Sequence, residues 1–105
     1  MKIVVLAGGL SPERDVSLSS GSQIANALRE AGHHVLLLDV YEGLKTNESE
    51  FESLFKDNIT GKPYYYKVKG IEPDLNEIKR KSNNGDSLIG KNVLRLCLFA
   101  DVVFI

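Results

Sequence analysis

The chain has 105 residues, 43% hydrophobic and 26% charged, with a formal net charge of −1. Those totals suit one domain with a modest core. They exclude the basic footprint of a nucleic-acid binder, and no apolar run approaches the roughly 20 residues of a membrane-spanning helix. The lysines between Lys56 and Lys91 are interleaved with Asp57, Glu72, Asp74, Glu77 and Asp86, which reads as a solvated surface.

Lys2–Ala7 is a continuous β-branched and aliphatic run, the pattern of a strand buried on both faces of a parallel sheet. It is too short for a secretory leader and has no cleavage-like segment. Gly8 and Gly9 end it. Ser11 as N-cap with Pro12 at the first helical position offers a helix start, and Ser17 is a second candidate cap. The start therefore lies between Pro12 and Leu18. Val16, Ser20, Ile24, Leu28, Ala27 and Ala31 form one stripe of that helix, the small residues Ser20, Gly21, Ser22 and Ala25 permit close packing on a sheet, and Gly32 closes it. Arg14 and Asp15 read as a plain surface pair. His33 and His34 read as turn residues, since adjacent strand positions point to opposite faces and cannot share a metal. His34–Val40 is the second buried strand, completing a βαβ unit.

Residues 41–90 are polar and punctuated by glycine and proline, and read as an insertion decorating the α/β core. Within it, Ser49–Lys56 and Pro73–Lys79 are expected to be short helices, Tyr64–Val68 a strand and Ser82–Asp86 a turn. The three adjacent tyrosines are explained by strand propensity. Lys91–Ala100 regains helical period and contains Cys97, read as a small buried hydrophobe. A lone cysteine makes no internal disulfide, which favours a reducing, cytoplasmic setting. Asp101–Ile105 reads as a buried strand that stops without a cap, which suggests a piece of a longer protein. The fold class is α/β with a mostly parallel sheet.

The chemistry concentrates in the first loop, Gly8-Gly9-Leu10-Ser11-Pro12-Glu13-Arg14. A glycine loop between a strand and a helix sits at the carboxyl edge of the sheet, where α/β domains bind ligands. It lacks the third glycine of the dinucleotide fingerprint, and Glu13 opposes a pyrophosphate. Beside a helix N-terminus, Glu13 either favours the helix dipole from solvent or accepts charge-assisted hydrogen bonds from a ligand ammonium. Glu13, Ser17 and Gly21 follow at i, i+4 and i+8 and share a face if the helix covers all three.

The run Gly8-Gly9-Leu10-Ser11-Pro12-Glu13-Arg14-Asp15-Val16-Ser17-Leu18-Ser19-Ser20-Gly21 resembles the N-terminal signature of the D-alanine–D-alanine ligases, and Asn92–Ile105 is similar to the segment that in this family leads into Ala-Leu-His-Gly. The resemblance implies a Rossmann-like, three-layer pre-ATP-grasp domain, residues 1–105 being the first of three domains. It implies an ATP-dependent ligation of two D-alanines through an acylphosphate, feeding peptidoglycan synthesis. By position Glu13 matches the glutamate that holds the ammonium of the first D-alanine, Val16 a residue lining the same subsite, and Ser17 a support for the loop formed by Gly8, Gly9 and Ser11. ATP and Mg2+ would serve the complete enzyme, with none bound to this segment, which alone should be inactive. The partners implied are D-alanine, the remaining ligase domains and a second copy in a homodimer. Three alternatives stay open: a ligase joining D-alanine to D-lactate or D-serine, a non-catalytic α/β module binding a small molecule or nucleotide, and a pure interaction domain.

Overall fold

A computed structural model describes residues 1–57, 64, 74–81 and 87–105. Strand β1, Lys2–Ala7, lies at the centre of a parallel sheet of order β2-β1-β3, with β2 at His34–Asp39 and β3 at Val102–Phe104. The register sets Lys2 opposite His34 and Ala7 opposite Asp39 on one side, and Ile3 opposite Val102 on the other. Helix α1, Arg14–Glu30, joins β1 to β2. It closes at Gly32, with the Gly32 N–H donating to Arg29 O and the His33 N–H to Leu28 O. This double bond pattern is that of a Schellman cap.

Alternation along the strands divides the core between the two faces. Ile3, Val5 and Val35 pack on Ala25 of α1, with Ile24, Leu28 and Leu37 around them. Val4, Leu36 and Leu38 pack on Phe51 and Phe55 of α2 (Phe51–Asp57) and on Val93 and Leu96 of α4 (Val93–Phe99). The result is three layers: helix, sheet, helices. A further helix, α3, spans Leu75–Lys81 and buries none of its residues; the Glu77 N–H donates to Asp74 Oδ1 at its start, 3.1 Å away.

Four expectations change. The buried face of α1 is Arg14, Asp15, Leu18, Gly21, Ser22 and Ala25, while Val16 stands 55% exposed. Gly21, Ser22 and Ala25 face the sheet as their size permits, with Ile24 and Leu28 packed beside them, but Val16 is left outside because the helix begins with Arg14 and Asp15 turned inward. Arg14 and Asp15 are consequently no surface pair. Residues 41–90, expected as decoration, supply part of the core: Tyr41, Phe51 and Phe55 are fully buried, and Phe51 meets Phe99 edge to face at 5.6 Å. Finally, β3 is an edge strand. Val103 packs inward with Val4 and Leu36, but Val102 and Phe104 are exposed, because α1 lies over the two strands it connects and not over β3. The expected strand at Tyr64–Val68, apart from Tyr64, and the turn at Ser82–Asp86 lie outside the described residues.

Candidate functional site

The carboxyl ends of β1 and β2 meet at Gly8 and Asp39, and the loop to α1 rises from there. Gly8 has φ +75, and a Cβ there would lie 2.9 Å from the Asp39 carboxylate. Both the backbone conformation and the space require glycine. The Gly8 N–H donates to Ser17 Oγ at 3.0 Å, and the Gly9 N–H donates to Asp39 Oδ1 at 3.3 Å. Asp39 Oδ1 also accepts from the N–H groups of Tyr41 at 2.9 Å and Glu42 at 3.2 Å, so one carboxylate organises both the loop and the turn after β2.

Arg14 completes the arrangement. Its guanidinium is buried, donates to Gly9 O at 3.0 Å, forms a close ion pair with Asp39, and reaches Glu42 Oε1 at 3.2 Å. The fork of the guanidinium allows these simultaneous contacts. The Gly9 peptide is therefore held from both sides, its N–H by Asp39 and its carbonyl by Arg14. Neither Arg14 nor Asp39 was recognisable as a partner in the sequence. The available signal was an arginine in the glycine loop and an acidic residue ending the next strand, both at the ligand edge of a βαβ unit.

The six residues singled out in the sequence divide by role. Gly8, Gly9 and Ser17 form the internal hydrogen-bonded loop. The Ser11 carbonyl accepts the Arg14 N–H at 3.1 Å, making the turn that launches α1. Glu13 takes the N-cap position without a side-chain capping bond and is exposed, and Val16 is exposed one turn on. Ser11 and Ser17 are thus not the helix caps. Gly21 shares a face with Glu13 only if the helix covers both; the helix begins at Arg14, just after Glu13, and Gly21 packs on Ala7 and Leu37. His33 meets the Met1 amino group at 3.5 Å and His34 begins β2. Among the described residues no group of three or more His, Cys, Asp and Glu side chains is placed to hold a metal ion. Cys97 is half-buried, and burial pushes its thiol up, which disfavours the nucleophilic thiolate.

These contacts decide what the loop suits. A phosphate-binding loop presents free backbone N–H groups to an anion, but the Gly8 and Gly9 amides are already used within the loop. Around it stand the carboxylates of Glu13, Asp39 and Glu42 with the single guanidinium of Arg14. With its two glycine amides spent and carboxylates beside it, the loop offers little to the phosphates of ATP. An exposed carboxylate in such surroundings suits a cationic group. Among the described residues no helix is long and apolar enough to cross a membrane.

Fold and loop together define a parallel α/β domain with an acidic, internally hydrogen-bonded ligand edge. Over 100% of its length the chain is 42% identical to the D-alanine--D-alanine ligase of Pediococcus pentosaceus and 40% identical to that of Lacticaseibacillus casei, covering 30% and 29% of those proteins. The D-alanine--D-alanine ligase of Aquifex aeolicus is 55% identical over 40 residues, 38% of this chain and 14% of that protein. No protein-family model matches the chain. The chain is a homologue of the D-alanine--D-alanine ligases, and it spans about 30% of the length of the curated relatives it matches over its whole length.

Proposed function

We propose that residues 1–105 form the N-terminal, substrate-binding domain of a cytoplasmic D-alanine–D-alanine ligase, and that the Glu13 carboxylate receives the ammonium of the first D-alanine. One observation carries this reading: Glu13 is exposed at the sheet's ligand edge, beside a loop whose Gly8 and Gly9 amides are spent on Ser17 and Asp39. The site then offers carboxylate acceptors to a cation, while the Gly8 and Gly9 amides are not offered to an anion. Val16, apolar yet held in the open one turn along α1, lines the same subsite. Ser17 and the glycines hold the loop rather than the ligand.

In this reading the domain's contribution is positional. Binding the ammonium fixes the first D-alanine so that its carboxylate faces the rest of the ligase. There that carboxylate is activated as an acylphosphate and the amine of a second D-alanine attacks it, giving D-alanyl-D-alanine for peptidoglycan. ATP, Mg2+ and the second substrate belong to the remaining ligase domains, and assembly as a homodimer is part of the same expectation.

Charge-assisted hydrogen bonds contribute about 1.5–3 kcal/mol. Glu13→Ala in the complete ligase should therefore raise the KM for the first D-alanine roughly 10–100-fold, with the KM for ATP changed little. Steady-state kinetics with each substrate varied in turn makes the test. Equal effects on both KM values would remove Glu13 from the assigned role.

A further inference from the structure

We propose that Arg14 and Asp39 are a positioning pair that sets the direction in which Glu13 presents its carboxylate; the inference rests on the reading of Glu13 given above. Glu13 is exposed and has no side-chain bond at the helix start. Its direction is therefore set by its backbone, and that backbone is held by its neighbours. The Ser17 N–H donates to Glu13 O at 2.9 Å and the Arg14 N–H to Ser11 O at 3.1 Å, which ties Glu13 to the first turn of α1.

The loop before it is tied to α1 at one point by the Gly8 N–H bond to Ser17 Oγ, which leaves the next peptide to turn about Gly9. Arg14 prevents this by bonding back across five residues to Gly9 O, while Asp39, at the end of β2, takes the Gly9 N–H. The ion pair between them joins loop and sheet. Arg14 and Asp39 side chains are 7% and 13% exposed, so water competes weakly for these bonds. A buried pair of this kind is weak evidence for net stability, because desolvating both charges offsets their attraction. Its specific gain is geometric. It fixes Gly9 from both sides and so fixes the start of the helix that carries Glu13 and Val16. Misplacement of a binding group by about 1 Å costs up to about a hundredfold in rate.

Variants in the complete ligase separate this role from plain structural support. Arg14→Met should raise the KM for the first D-alanine about 10–100-fold while leaving the KM for ATP within about twofold. Arg14→Lys should rescue only part of the loss, since an ammonium lacks the fork that spans Gly9 O and Asp39. Asp39→Asn, which keeps the side chain's shape, should show the same selectivity. The double variant Arg14→Met with Asp39→Asn leaves no lone buried charge and should recover thermal stability, yet keep the raised D-alanine KM. Normal D-alanine KM in the double variant would overturn the proposal. So would parallel rises in both KM values that track falling thermal midpoints. Glu13→Gln is run alongside: no effect of that substitution overturns the ammonium reading itself, whereas an effect of Glu13→Gln without one of Asp39→Asn overturns only the positioning role.

Discussion

Tyr64 shows how much one side chain far from any local pattern can contribute. Its backbone exchanges hydrogen bonds with the Asn26 side chain at 2.7 and 2.8 Å, its ring lies 5.5 Å from the Arg29 guanidinium, and its hydroxyl accepts the Leu37 N–H of β2 at 3.4 Å. It thereby supplies a partner to an edge-strand amide that would otherwise be exposed. Tyr64→Phe should lower stability by about 0.5–1 kcal/mol, the low end because the bond is long, as read by urea denaturation. Burial pushes the Tyr64 hydroxyl up from its ordinary value of 10.0, against smaller lowering effects of the Leu37 backbone and Arg29. The unfolded chain therefore ionises first. This residue's contribution is complete below pH 10.0 and declines as pH rises through the higher folded value, and the Phe variant should lack that alkaline loss. At the same scale Glu13 was readable from sequence, being acidic where the dinucleotide pattern wants none. Arg14 was misread because its partner Asp39 lies 25 positions away, beyond any helical or strand spacing.

Among the elements, α1 was visible as a helix, and so was the packing of its small residues on the sheet. Helical period fits more than one stripe, however: Ile24 and Leu28 pack beside Gly21, Ser22 and Ala25, while Val16 faces out. The approach to the sheet is close. A Cβ on Gly21 would stand 2.8 Å from Ala7 Cβ and 3.1 Å from Leu37 Cδ1. Ala7 Cβ is fixed to a central strand and cannot yield. Gly21→Ala should therefore destabilise by about 1–3 kcal/mol through overpacking, exceeding the gain of up to about 1 kcal/mol in helix propensity. A lowered thermal midpoint checks this, and a raised one would show that the helix can lift off the sheet. Helix α2 shows the opposite case. Its position at Phe51–Asp57 was anticipated within a few residues, but its importance was not, because a short helix in a polar segment gives no sign that two of its phenylalanines fill a sheet face.

At the scale of the whole molecule, the chain is about a third of the length of the ligases it matches throughout. At its ligand edge the Gly8 and Gly9 amides are spent within the loop, and the Arg14 guanidinium is paired with Asp39 and Glu42. We expect the purified 105-residue chain to release no phosphate from ATP in the presence of D-alanine; measurable D-alanine-dependent release would place catalytic groups within these residues. Sequence by itself determined the βαβ order, the strand at each end of α1, the glycine loop and the carboxylate within it, because each depends on residues adjacent in the chain or repeating at a fixed period. Tertiary structure alone decided that Val16 faces out of α1 while Arg14 and Asp15 face in, that α2 belongs to the core, that β3 lies at an edge, and that Arg14 and Asp39 close the loop. Those outcomes depend on pairings between distant residues, where close packing and the need to satisfy a buried charge outweigh local preference.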